Sequence, residues 1–236
     1  MRKIALIVAA GSSSRMGMAT PKQFHPLGGI PLAIHPALAF RKAFPDLELV
    51  YVIAGGTAQI WENFLTHYFP EGNWRLCMGG KSRYESVRNG IRSIRETDAL
   101  VAVHDGARPF IRVSEIQQAF SMAAEKGNAV FSVPVKDSLR QVNPDGSSHF
   151  MDRSQIHLVQ TPQVFFLRDM RPVYEKEDDV RFTDDATVME LGGSKIFLCQ
   201  GSYDNLKVTT PEDWILADKI LQQRLLMDSP EENGGA

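Results

Sequence analysis

Gly11-Ser12-Ser13-Ser14-Arg15-Met16-Gly17, closely followed by Pro21-Lys22-Gln23, is the stretch of this chain best equipped for chemistry on an anion. Small residues let backbone N–H groups approach phosphate oxygens, and Arg15 and Lys22 stand seven residues apart on the same loop. Two cations beside such a nest could neutralise a triphosphate and the charge that grows in phosphoryl transfer. Two familiar phosphate loops do not fit. A P-loop has four residues between its glycines and then Lys-Ser/Thr, whereas five separate Gly11 from Gly17 and no such pair follows. The dinucleotide fingerprint needs glycine where Ser13 stands. Taken alone, the loop also reads as a solvated turn carrying two basic residues.

Further along, Met78-Gly79-Gly80-Lys81-Ser82 can bring backbone close to a flat ligand, which bulky residues would prevent. Ser86 lies one turn into the helix that follows, where its hydroxyl faces either the same ligand or water. His104-Asp105 closes an apolar run beside Arg108. A carboxylate there can reach a metal or a ribose hydroxyl, or only cap its loop; magnesium usually takes one or two carboxylates besides phosphates and water. His104 reads as packed or hydrogen-bonded. The other five histidines show no ligand spacing, so no zinc site is expected.

The elements that must position these residues are legible in the hydrophobic pattern. Short apolar runs at 4–10, 47–54, 74–78, 99–103 and 129–133 read as strands, each soon followed by Gly, Pro or Asp. Helices start between them. Ser82 and Glu85 have capping-box spacing, Ser114 and Gln117 repeat it with Gly127 as the stop, and Thr210-Pro211-Glu212-Asp213 opens the last helix. Strands apolar on both faces, separated by helices, imply a Rossmann-like α/β fold with a mainly parallel sheet flanked by helices. Ligands then sit beyond the carboxyl ends of the strands. From about 136 to 158 the helical period is missing. Two strand-like pieces flank Asn143-Pro144-Asp145-Gly146-Ser147, which predicts a projecting β-hairpin arm, either a surface excursion or a dimerisation arm. Residues 1–227 form one domain on this reading, and 228–236 a disordered tail.

Charge bounds the partners. Against 26 Lys+Arg stand 28 Asp+Glu, so no general field draws in nucleic acid or an acidic membrane, and an anionic ligand must be held by local cations. The longest apolar run has seven residues, far below the ~18 of a membrane span. It also sits at the bottom of the signal-peptide range and reads better as a buried strand, so a cytoplasmic protein is expected. Cys77 and Cys199, each in an apolar stretch, suit reduced core positions there.

Several separated motifs, in order, resemble the sugar-phosphate nucleotidyltransferases, and within them the 2-C-methyl-D-erythritol 4-phosphate cytidylyltransferase family. They run from Ala9-Ala10-Gly11, Arg15 and Lys22 through Gly79-Gly80 with Arg83 and Ser86, then His104 to Pro109, Val135 to Ser138, and Asp152-Arg153. Thr161-Pro162-Gln163, Thr183 to Ala186 and Asn205 to Thr209 complete the set. The resemblance implies transfer of CMP from CTP to 2-C-methyl-D-erythritol 4-phosphate with release of pyrophosphate. Arg15 and Lys22 would be catalytic. Ala9, Ala10, Gly11, Gly79, Gly80, Ser86, Asp105, Ala107 and Lys207 would bind CTP, with Mg²⁺ among the phosphates and Asp105 its candidate protein ligand. Arg108, Ser138, Arg153, Thr161 and Thr183 would take the sugar phosphate, Ser138 and Arg153 reaching a neighbour's site from the arm of a homodimer. The chain departs from the family pattern at Val8, Ser13, Lys81 and Ser138, none of them a charged catalytic position. A sister activity on ribitol 5-phosphate and a non-catalytic nucleotide-binding regulator are the alternatives; retention of both Arg15 and Lys22 argues against the second.

Overall fold

The structure is a computed structural model that describes residues 1–11, 20–176 and 182–228. Its strands, in chain order, are β1 (Arg2–Ala9), β2 (Pro26–Leu27), β3 (Ile30–Pro31), β4 (Glu48–Ile53), β5 (Trp74–Met78), β6 (Ala99–Asp105), β7 (Asn128–Pro134), β8 (Leu139–Val142), β9 (Ser148–Met151), β10 (His157–Phe166) and β11 (Leu198–Gln200). Its α-helices are α1 (His35–Ala43), α2 (Ala58–Tyr68), α3 (Arg83–Ser93), α4 (Val113–Lys126), α5 (Leu167–Lys176), α6 (Asp185–Leu191) and α7 (Pro211–Asp228).

Seven strands form the main sheet in the order β11-β7-β10-β6-β1-β4-β5. β1 lies between β4 and β6 and runs parallel to both, while β10 runs antiparallel between β6 and β7. Strand order thus reverses around β1, and the carboxyl ends of β1, β4, β5 and β6 share one edge, the usual ligand position in such sheets. β1 shows how the pattern sets the layers. Ala5, Ile7 and Ala9 join one core with α1, α2 and α4, while Ile4 and Leu6 join the opposite core with α3, α5 and α6. Each fully buried aliphatic or aromatic side chain contributes about 1.5–3 kcal/mol, so both faces hold the sheet edge firmly. α7 closes a third cluster, in which Leu27, Leu32, Phe110, Val208 and Ala217 are buried.

Most predicted starts are close to the observed ones, with one difference. α4 begins at Val113, ahead of the expected Ser114 cap, because the Glu115 carboxylate reaches back to the Arg112 N–H at 2.8 Å. Gly127 ends it at φ +97°, as its permissive backbone allows. α6 is capped by Asp184, whose side chain accepts from Thr187 N at 3.2 Å. The Ser82 cap stands, accepting from Glu85 N at 3.1 Å, although the Glu85 side chain reaches Lys81 N and not the cap residue. The hairpin arm is β8 paired antiparallel with β9. Val142 and Phe150 on it are about 70% exposed, so the arm has an apolar surface that its own fold leaves uncovered. Cys199 is buried, Cys77 half-buried, and the two are not joined. The expected tail at 228–236 lies outside the described residues beyond Asp228, and no described helix is long and apolar enough to cross a membrane.

Candidate active site

At the carboxyl ends of β1 and β6 the sheet opens into a cavity of about 470 Å³. Ala9, Ala10 and Gly11 form one wall, Gly80, Lys81, Arg83 and Ser86 another, and Asp105, Ala107, Lys22 and Lys207 line the rest. Local structure explains why these residues meet. Gln23, buried in the 3-10 turn at Lys22–Phe24, donates its side-chain amide to Ala9 O at 3.1 Å and Gly11 O at 3.3 Å, which fixes the loop's departure from β1. That same turn brings the Lys22 ammonium to Val208 O at 2.6 Å, beside Lys207. Gly79 does not line the cavity but shapes it. Its N–H donates to Ile53 O at 2.8 Å, and a Cβ there would lie 2.5 Å from the Ala10 Cβ. Ser86 is 3% exposed, accepts from Gly80 N at 3.0 Å and donates to Ser82 O at 2.8 Å. Its hydroxyl therefore holds the glycine loop in shape.

A second cavity, of about 400 Å³, adjoins the first. Arg108, Thr161, Thr183, Gln160 and Gln163 line it, and Arg83, Asp105 and Lys207 line both. β10 supplies Thr161, whose hydroxyl accepts from Asp105 N at 3.0 Å. Asn205, fully buried, donates to Thr161 O at 2.8 Å and receives Arg108 Nη1 on its own carbonyl at 2.7 Å. Thus the Asn205 to Lys207 segment is tied to the wall of the second cavity.

Asp105 is the electrostatic centre. Its Oδ1 is 3.2 Å from Arg83 Nε, and its Oδ2 is 2.8 Å from Lys207 Nζ and 3.7 Å from Arg108 Nε. Burial alone would push this carboxyl up, but Arg83, Lys207 and Arg108 hold it well below the usual carboxylate range. Burial likewise opposes the charge on Arg83, yet Asp185 and Asp105 raise its guanidinium well above the ordinary value. His104, behind this cluster, is fully buried, and burial lowers it to about 4. Its Nε2–H donates to Arg108 O at 3.1 Å, and its Nδ1 has no partner among the described residues, so it is a neutral packed imidazole, as expected.

For magnesium the donor set is narrow. Asp105 is the single carboxylate among the described residues that line the first cavity, and both its oxygens already face cations. No cluster of three potential ligands occurs among the described residues. Such a site fits an ion carried in on a triphosphate, held mainly by phosphate oxygens, and not one bound by protein alone.

The structure therefore brings together Ala9, Ala10, Gly11, Lys22, Gly80, Ser86, Asp105, Ala107 and Lys207 in one cavity and Arg108, Thr161 and Thr183 in the next. Arg15 lies outside the described residues. Ser138 and Arg153 are exposed on or beside the arm and do not line either cavity; Arg153 donates to Lys136 O. Residue types alone missed the roles of Arg83, Gln23 and Asp185. Arg83 and Gln23 each stand in a motif read from the sequence, but Arg83 bonds to Asp105 and Asp185, 22 and 102 residues away, and Gln23 reaches Ala9 and Gly11, 14 and 12 residues away.

Two adjoining, cation-lined cavities at the switch point of a mainly parallel sheet define an α/β protein that handles phosphorylated ligands, of the nucleotidyltransferase kind. Residues 3–223 match the 2-C-methyl-D-erythritol 4-phosphate cytidylyltransferase family, and the chain belongs to that family. A protein of that name from Bacteroides thetaiotaomicron is 34% identical, the match covering 94% of this chain and 100% of the relative. One from Azobacteroides pseudotrichonymphae is 37% identical over 93% of this chain and 99% of its own. The crystal structure of 4-diphosphocytidyl-2C-methyl-D-erythritol synthase from Anaerococcus prevotii superposes with a TM-score of 0.82 at 26% identity, covering 94% of this chain and 98% of that one.

Proposed function

We infer that this chain is a cytidylyltransferase that moves CMP from CTP to 2-C-methyl-D-erythritol 4-phosphate, releasing pyrophosphate and forming 4-(cytidine 5'-diphospho)-2-C-methyl-D-erythritol. The family match over 3–223 carries this reading. The site geometry supports a division of labour. The first cavity, with its backbone walls and Lys22, receives CTP; the second, with Arg108, Thr161 and Thr183, receives the sugar phosphate. Arg83, Asp105 and Lys207 stand where the two ligands meet.

A phosphate oxygen of the acceptor attacks the α-phosphorus, a new P–O bond forms, and the bond to the bridging oxygen of pyrophosphate breaks. The attacking group is already an anion, so no general base is required. What opposes the reaction is repulsion between two anions and charge on the phosphoryl group in flight. Lys22 and Arg15 offset both, and Lys207 steadies the phosphates. Asp105 acts by holding Arg83 and Lys207 in place. Mg²⁺, when bound with the triphosphate, would neutralise further phosphate charge, with Asp105 as the carboxylate that the described lining of the first cavity offers it.

The arm supports a homodimer. A two-stranded hairpin with exposed Val142 and Phe150 gains stability by packing on something, and a second copy would bring Ser138 and Arg153 to the neighbour's second cavity. The enzyme then works in the cytoplasm as a pair. The test is pyrophosphate release from CTP with each candidate acceptor, with and without a chelator. Turnover with the methylerythritol phosphate that collapses on chelation supports the reading. Turnover with ribitol 5-phosphate alone, or none with either, overturns it.

A further inference from the structure

The ion pair at the junction of the two cavities is anchored from behind. Arg83 is the first residue of α3 and Asp185 the first of α6, so their pairing ties the loop of Gly79-Gly80 to the loop of Thr183. Asp185 is fully buried. It accepts from Arg83 Nη1 at 3.1 Å and Nη2 at 2.8 Å, and from the Tyr174 hydroxyl at 2.6 Å. Tyr174 in turn is 1% exposed and lies stacked on Tyr84, ring centroids 5.1 Å apart and planes within 12°. The Tyr84 hydroxyl donates to the Tyr174 carbonyl at 3.1 Å. A guanidinium gripped by two parallel bonds has its plane fixed, which a lysine could not reproduce. With the plane fixed, Nε points at Asp105.

A buried ion pair is weak evidence for stability, because apolar groups of similar volume often serve as well. What it supplies is position. Asp185 lines neither cavity, whereas Arg83 lines both. Reaction between two bound anions depends on their relative placement, and displacement by about 1 Å can cost roughly 10²-fold in rate.

Resting on the reading of the two cavities as nucleotide and sugar-phosphate sites, we propose that Asp185, backed by Tyr174, is a positioning residue of the transfer: it fixes Arg83, and through Arg83 Asp105, where the two substrates meet. The test measures pyrophosphate release for wild type, Tyr174→Phe and Asp185→Asn, well below each unfolding midpoint. Asp185→Asn lowers kcat by roughly 10- to 100-fold while KM for CTP stays within about threefold, because the triphosphate is held elsewhere. Tyr174→Phe keeps the stacked ring and loses only the hydroxyl, so it lowers kcat in the same direction by a smaller factor. Because Asp185 acts through Arg83, adding Asp185→Asn to Arg83→Lys costs less than the product of the single effects. Wild-type kcat in folded variants, or fully multiplicative losses, overturns the proposal while wild-type turnover leaves the reaction itself intact. If Asp185→Asn does not fold, Tyr174→Phe decides alone. A wild-type chain without turnover overturns the reaction and this proposal together.

Discussion

Gly79→Ala is the perturbation whose consequence follows most directly from distances. A Cβ at this position lies 2.5 Å from the Ala10 Cβ, 3.0 Å from Ser86 Oγ and 3.3 Å from Ile53 O. Carbon atoms settle at about 3.5–4.0 Å, so the loop and Ala10 must separate by about 1 Å. Neither side is the far end of a flexible chain, so the movement passes into the backbone that walls the nucleotide cavity. Overpacking of this kind costs about 1–3 kcal/mol, which for a chain of this size lowers Tm by roughly 2–12 °C. The same displacement lowers kcat/KM for CTP by as much as ~10²-fold. Thermal unfolding and steady-state kinetics with varied CTP read the two effects separately. Gly11→Ala is the control for stability, since no atom of the described residues lies within 4 Å of a Cβ built there. Wild-type Tm and wild-type kcat/KM in Gly79→Ala would refute the reasoning.

Three further outcomes are expected. Arg15→Ala and Lys22→Ala each lower kcat by roughly 10²-fold or more, the scale for losing one transition-state donor, as read by single-turnover kinetics at saturating CTP. Burial lowers His104 to about 4 from 6.5, so the unfolded chain takes up its proton at higher pH than the folded one. That stability is complete above about pH 6.5 and is lost as pH falls through about 4, a total near 3 kcal/mol, whereas Asp105 adds its own loss only below its unfolded carboxylate range. Urea midpoints followed from neutral pH down to about pH 4 should fall for wild type and flatten for His104→Gln. Finally, mixing Lys22→Ala with Arg153→Ala subunits restores about a quarter of wild-type activity: half the dimers are hybrids, and each hybrid holds one intact site. A mixture no more active than the separate variants counts against the shared site.

The parts legible in the sequence were those whose cause is local. The apolar run at 74–78 coincides with strand β5, because a run ended by glycines leaves little freedom. The Gly127 stop and the Thr210-Pro211 start of α7 were equally plain. β10 carries no strand pattern in the sequence, since His157, Gln160, Thr161, Pro162 and Gln163 interrupt its apolar residues. Gln160, Thr161 and Gln163 are there because the strand passes along the second cavity and hands Thr161 to Asp105. β11 is three residues long and sits at the sheet edge, too short for a period. At the site, the loops and the cations Lys22, Arg108 and Lys207 could be picked out by type. The convergence of Arg83, Arg108 and Lys207 on Asp105, and the grip of Asp185 on Arg83 across 102 positions of chain, exist only once the sheet is closed. Near-neutral composition says that an anion must be held locally; the fold sets Lys22, Arg108 and Lys207 around two adjoining cavities.

That convergence is tested most directly by incubating the purified chain with CTP, 2-C-methyl-D-erythritol 4-phosphate and magnesium, and following pyrophosphate together with the mass of the nucleotide product. Stoichiometric pyrophosphate and 4-(cytidine 5'-diphospho)-2-C-methyl-D-erythritol, absent when either substrate is left out, is the predicted result. CTP left unconsumed, or pyrophosphate released without the acceptor, would contradict it.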